Sequence, residues 1–281
     1  MLAARSVIAM LSVAVVVVAA ALAASAAGFL PPRNPRHNIA ATPNFFSSGT
    51  CTADGCANPC LERFSWPTYT DSKKCDDFVL RAVDHARKLE GVRPMHLPTN
   101  WQRLTPEEQL FVLADLERVA RGLPPYVGLN PALGKEARLA ARRDEDPTLA
   151  PGFSVGLDPQ GSYGFGGAWA GGSGSFSTLV ADYGWMYDDG WGGSLAKTSN
   201  LACTSPRAKG CWAHRDELLG YDPGFNPGVG LYCSNCEMGT GFAVTHGAAS
   251  YVDLVELPAP GTKPPVTFSW AKDVVPFLPK R

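Results

Sequence analysis

Apolar residues recur at helical spacing in four stretches of this chain. Phe78, Val79, Ala82, Val83 and Ala86 predict a helix from residue 76 to about 89, with Gly91 as its stop. Thr105-Pro106-Glu107-Glu108 reads as a helix start: Thr105 is the N-cap, Pro106 takes the first helical position and Glu108 completes a capping box. Leu110, Val112, Leu113, Leu116, Val119 and Ala120 mark the apolar face of that helix, and Gly122 with Pro124-Pro125 ends it. Leu129-Asn130-Pro131 caps a third helix running to about residue 143, with Leu133, Ala137, Ala140 and Ala141 inward. A fourth, from about 176 to 187, carries Leu179, Val180, Tyr183, Trp185 and Met186.

After these helices the pattern shortens to strand-like runs at 228–233, 240–245 and 250–257, separated by Gly, Asn and Cys turns. Helices first and a small antiparallel sheet last is an α+β order. Residues 150–178 are rich in Gly and Ser but interleaved with Phe153, Tyr163, Phe165, Trp169 and Phe176, which reads as a loop that packs. A Gly-rich insertion, about 189–210, follows the fourth helix. Next comes Cys211-Trp212-Ala213-His214-Arg215-Asp216-Glu217-Leu218-Leu219-Gly220, read as one helical turn stopped by Gly220. Leu218 and Leu219 are expected to bury, Arg215 and Glu217 to face out, and His214 to sit at the rim of the core.

The N-terminus adds a compartment. Arg5, an Ala/Val/Leu run over 7–24 and the Ala24-Ser25-Ala26 motif read as an export signal over 1–26, the one segment expected to meet a membrane. Retention as an anchor is the other reading of that run. Residues 27–50 read as an extended arm, 51–100 as a cysteine-rich extension with one helix, 101–258 as the main domain and 259–281 as a Pro-rich surface tail. Eight cysteines in an exported chain argue for disulfides. Local pairing joins Cys203 to Cys211 and Cys233 to Cys236, and makes two bridges among Cys51, Cys56, Cys60 and Cys75 whose connectivity the sequence leaves open. Cys233-Ser234-Asn235-Cys236 follows a strand rather than opening a helix, so it reads as a hairpin-tip disulfide and not a redox pair.

The formal net charge of −1 comes with no basic stripe, which sets nucleic acid aside. Ser173, Ser175 and Ser177 form no Gly-x-Ser-x-Gly elbow, so no nucleophile stands out and no catalytic residue is assigned. The acidic runs Asp144-Glu145-Asp146 and Asp188-Asp189 lack the alternating donors of a calcium loop and read as solvated charge.

Three blocks resemble the CAP superfamily of cysteine-rich secretory, pathogenesis-related and bacterial SCP-like domains. They are Leu116-Glu117-Arg118-Val119-Ala120-Arg121-Gly122-Leu123-Pro124-Pro125, then Trp185-Met186-Tyr187-Asp188, then His214-Arg215-Asp216-Glu217-Leu218-Leu219. The resemblance spans about 104–257, and Gly228-Val229-Gly230 entering the sheet fits it. It implies an α-β-α sandwich with a cleft that two histidines and two acids line in family members, where they can hold a divalent metal. Here it assigns His214 and Asp188 to that cleft. Gly167 stands where the first acid belongs, and Asp144-Glu145-Asp146-Pro147 where the first histidine belongs. Two donors make a poor zinc site, so His214 and Asp188 are weak metal candidates and no cofactor is expected. With Trp185, Trp169 and Arg215 they form the candidate ligand site. The expected function is that of a secreted or envelope protein binding a lipid, a glycan or another envelope component. The alternatives are a His- or metal-dependent hydrolase of extracellular polymers and a purely structural envelope protein.

Overall fold

The computed structural model describes residues 34–40, 51–52, 55–56, 59–61, 73–148, 165–172, 177–192, 198, 200–222, 231–233, 235–245, 247–256, 263 and 265–280. The export segment and the side chains of Cys51 and Cys56 lie outside them. Five helices are described: α1 (Lys73–Leu89), α2 (Pro106–Ala120), α3 (Pro131–Arg143), α4 (Thr178–Tyr187) and the short α5 (Ala213–Leu218). The short strands β1 (Cys51–Thr52) and β2 (Gly55–Cys56) pair with each other, as do β4 (Tyr221–Asp222) and β5 (Leu231–Tyr232), while the longer β3 (Phe165–Gly172), β6 (Glu237–Thr245) and β7 (Ala248–Glu256) make one antiparallel sheet in the order β3-β7-β6. The architecture is mixed α+β.

The capping chemistry appears as the sequence dictates. Thr105 and Glu108 exchange side-chain and backbone hydrogen bonds of 2.8 and 3.2 Å, closing the box that starts α2. Asn130 accepts from the Ala132 and Leu133 amides at the start of α3. Gly122 (φ +78°) terminates α2 in the left-handed region, where an L side chain is strained.

Strand alternation divides the sheet between two layers. Tyr251 and Val255 of β7, Ala168 and Ala170 of β3, and Met238 of β6 join the core built with α1, α2 and α4. Val252, Leu254 and Trp169 face the other way, against Leu133, Ala137, Ala140 and Ala141 of α3. The α3 helix lies very close to β6. A Cβ on Gly239 would come within 2.4 Å of the Leu133 carbonyl carbon, and one on Gly241 within 2.3 Å of that of Ala137. Only glycine allows that approach.

Four expectations are corrected. The Gly-rich stretch read as a packing loop contains β3, an edge strand paired with β7 over eight residues, Phe165 to Gly172. Glycine and alanine carry little strand propensity, so nothing local announced it. Leu231–Tyr232 (β5) does not join the main sheet but pairs with Tyr221–Asp222 (β4); Gly228, Val229 and Gly230 lie outside the described residues. Asp188 and Asp189, read as solvated, are 1% and 0% exposed. The Pro-rich tail does not stay on the surface: Phe268, Trp270 and Val274 bury, and the Phe268 ring meets that of Phe111 edge-on at 5.7 Å.

Among the described residues three disulfides are formed, Cys60–Cys75, Cys203–Cys211 and Cys233–Cys236, and they fit an oxidising compartment. Among the described residues no helix is long and apolar enough to cross a membrane.

Candidate functional site: a histidine anchored to the helical core

The α5 turn is placed by three anchors. Trp212, just before it, adopts φ +66°, a costly conformation for a tryptophan. It is held there by its amide, which donates to the Asp189 carbonyl at 3.0 Å, and by its ring, which occupies the space a side chain on Gly190 would fill. At the other end Gly220 (φ +67°) lies against Arg118, whose Nη1 would be 2.4 Å from any added Cβ. Arg118 is fully buried. It donates to the carbonyls of Leu219, of Cys233 (2.6 Å) and of Pro124 (2.9 Å), and its guanidinium lies 4.0 Å from the centre of the Tyr126 ring.

The third anchor is Arg215. It was expected to face out, yet it is 0% exposed. It donates to the Met186 carbonyl at 2.7 Å and pairs with Glu90. Glu90 also pairs with Arg121 at 2.6 Å; Arg121 pairs with Glu117, which lies 3.0 Å from Arg87 and accepts from the Tyr187 hydroxyl at 2.6 Å. Burial alone would raise the Glu117 pKa, but the charges of Arg87 and Arg121 and the Tyr187 hydrogen bond hold it below the ordinary value. Nearby Asp182 goes the other way: burial and the Glu117 charge push its pKa well up.

These anchors leave His214 partly exposed, its side chain at 23%. Its Nδ1 meets Oδ1 of the fully buried Asp189 at 2.7 Å. Asp189 is held in turn: Oδ1 accepts from Asn200 at 2.5 Å, and Oδ2 from the Arg215 amide at 3.2 Å. Burial pulls the His214 pKa down, but the Asp189 hydrogen bond and the charges of Asp189, Asp253 and Asp146 outweigh it, so the pKa is raised. Two more carboxyls lie where α5 meets the sheet. Asp253 of β7 accepts from the Ala168 amide at 3.1 Å, while its Oδ2 is buried without a hydrogen-bond partner. Burial pushes its pKa up to about 7, against the opposing Ala168 hydrogen bond and His214 charge. Glu217 lies over Gly166, in the space a Cβ there would take, with Oε1 unpartnered. Its pKa is pushed well up by burial and by Asp253, Asp146 and Asp189.

The five residues expected to share a cleft are distributed differently. Asp188 accepts from the Asn38 side chain, and Asp189, its neighbour, takes the histidine. Trp169 turns to the α3 side of the sheet, with Nε1 on Ser250 at 3.0 Å. Trp185 is 3% exposed and its Nε1 donates to the Trp169 carbonyl. Arg215 belongs to the buried ion chain. Sequence reasoning missed Asp189, Asp253 and the inward turn of Glu217. A charge in the middle of the apolar run Tyr251-Val252-Asp253-Leu254-Val255 was the available signal for Asp253.

Among the described residues, no group of three or more His, Cys, Asp or Glu side chains is arranged to hold a metal ion. With His214 Nδ1 occupied by Asp189 and Asp188 occupied by Asn38, the donors do not fit the metal that the CAP resemblance implies. The chain matches no family model, no curated protein and no solved structure with which it was compared.

Proposed function

We propose that this chain is an exported, CAP-like protein that binds an envelope component at His214 without transforming it. The observation that carries the reading is the His214 imidazole. Its Nδ1 is locked by Asp189, its side chain is partly exposed, and the charge of Asp253, whose Oδ2 is buried without a hydrogen-bond partner, also acts on the ring. An imidazolium donates hydrogen bonds, so the site suits hydroxyl or carbonyl oxygens, as on a glycan or a lipid headgroup. With Trp169 and Trp185 engaged elsewhere, a polar ligand fits better than a purely apolar one. Support for the family reading comes from the helices on both faces of the sheet, an α-β-α order. It comes also from Arg118, which ties the Gly-Leu-Pro-Pro turn to the histidine helix, two of the three resembling blocks.

A hydrolase is the second reading, and the Asp189–His214 pair favours it, because a buried carboxylate orienting an imidazole is how a general base is held. Among the described residues no Ser, Thr or Cys is hydrogen-bonded to His214. One experiment separates the readings. Envelope glycan fragments are titrated calorimetrically into the full chain and into His214→Ala at pH 6, with product analysis of each mixture. Binding weakened at least ~10-fold in the variant, with ligand recovered intact, supports the proposal. Turnover that His214→Ala abolishes establishes the hydrolase, and equal binding by both proteins removes His214 from the site.

A further inference from the structure

The face that α3 turns to solvent plays no part in the site around His214. Leu133, Ala137, Ala140 and Ala141 pack on the sheet, which leaves Lys135, Arg138, Leu139 and Arg142 exposed. Their spacing is i, i+3, i+4, i+7, one face of a helix. No basic run stands out in the sequence, because helical winding alone brings these positions into line, over about 10 Å. Among the described residues none of the three cations takes part in an ion pair. The nearby acids are turned elsewhere. Glu145 pairs with Arg143 at 2.6 Å. Asp144 lies over β3, its Oδ1 2.8 Å from where a Cβ on Gly171 would stand. The charge of Asp146 acts on His214 and Glu217. Glu136, at one edge of the row, is 8% exposed, and the charge of Arg138 acts on Glu107 at the other.

The row works against the helix that carries it, since like charges at i,i+3 and i,i+4 repel. The helix dipole favours Arg142 in the last turn, but Lys135 and Arg138 precede that turn. On α1 the exposed Lys73 pairs with Asp77 one turn on, at 2.7 Å; the α3 row has no such relief. A single-sign row of this kind suits an anionic partner that neutralises it. The acids at its margins set the partner's width. A nucleic-acid duplex or a bilayer presents a broad negative front, which would meet Glu107, Glu136 and the acidic run at 144–146 as well. A single linear chain fits between them. Leu139, 37% exposed, lies in the same row and offers an apolar surface to a sugar ring.

We propose that the outer face of α3 is a docking surface for a linear acidic polysaccharide, held through its carboxylates by Lys135, Arg138 and Arg142. The arginine forks take carboxylates in bidentate fashion, and the lysine adds a point charge. A polyuronate repeats its charge at every sugar, which suits a row whose neighbouring cations stand about one helical turn apart. The inference is independent of the ligand proposed for His214: Leu218 and Leu219 of α5 pack in the core on the other face of the sheet from α3.

The test titrates a fluorescent oligogalacturonate by anisotropy, at low ionic strength, with the full chain, with its Lys135→Gln/Arg138→Gln/Arg142→Gln variant and with His214→Ala. Binding at least ~10-fold weaker in the triple variant, and unchanged in His214→Ala, supports the docking surface. Equal binding by wild type and triple variant, or none by the wild type, overturns it. So does equal binding of the methyl-esterified oligomer, which has the same chain without the charge. A single-stranded oligonucleotide of matching charge that binds the wild type as tightly puts nucleic acid in the glycan's place and also overturns the proposal. The three side chains are exposed, so the triple variant should melt no lower than the wild type. If it does not melt cooperatively, Lys135→Gln alone decides: binding weakened about 2–5-fold supports the row, and unchanged binding ends the proposal.

Discussion

Asp189 is the residue on which the candidate site turns. It is fully buried, and its two oxygens hold the His214 ring, the Asn200 side chain and the Arg215 amide. Asp189→Asn removes the charge that favours the imidazolium, so the His214 pKa is expected to fall, read by NMR titration of the ring protons. Loss of the charge-assisted bonds should also lower stability by about 2 kcal/mol. Asp188→Asn, one residue away, should leave the His214 titration in place; a larger effect there than at Asp189 would refute the pairing. The acidic pair was visible in the sequence. Which member reaches the histidine was not, because it depends on how the chain leaves α4 after Tyr187. Glu217 reads outward on a helical wheel, and only the bare backbone at Gly166 draws it onto the sheet.

Among the elements, the helices were legible and the edge strand was not. Caps are local chemistry: Thr105 with Glu108 and Asn130 with Pro131 announce α2 and α3 within a few residues. In β3 the residues were chosen for closeness. Gly166 admits Glu217, and Gly167 admits the Pro147 ring at 2.4 Å from a would-be Cβ, so the strand lacks the side chains that mark strands. The same logic governs β6 beneath α3. Gly241→Ala places a methyl against the backbone of Ala137, which cannot rotate away, and α3 must shift. The expected cost is about 2–3 kcal/mol, measured as a lower midpoint in urea at unchanged slope. An unchanged midpoint would mean that α3 does not rest on this strand.

For the whole molecule, the buried acids set the pH dependence. Glu237 and Glu256 face each other across β6 and β7, both about 1% exposed. Glu237 accepts from Asn130 at 2.6 Å, whereas neither oxygen of Glu256 has a hydrogen-bond partner. Burial and the Glu237 charge push the Glu256 pKa up to about 7, and Asp253 reaches a similar value. A carboxyl whose pKa is raised by folding stabilises the fold below its unfolded pKa and loses that contribution as pH rises to the folded value. Glu117, held low, acts only under more acid conditions. Stability should therefore decline between about pH 4.5 and 7, by on the order of 3 kcal/mol through Glu256. Thermal melts across that range should show a flatter slope for Glu256→Gln, and a wild-type stability that climbs toward pH 7 would contradict the assignment. The four longer helices and the cysteine pairs 203–211 and 233–236 were readable from the chain alone. The facing glutamates were not, since nothing before folding brings residues 237 and 256 into register.

The ion chain from Arg215 through Glu90, Arg121 and Glu117 to Arg87 has a consequence in time. It joins the last short helix to the first two long ones, across 125 residues between Glu90 and Arg215. Until Arg215 arrives, Glu90 keeps one guanidinium instead of two, and the turn carrying His214 has no seat. Asp253, whose charge acts on His214 from the sheet, comes later still. Local helices can form early, but contacts this distant await closure of the longest loops. The His214 site is among the last things this chain makes, and a chain cut short before Arg215 lacks the anchor that seats it.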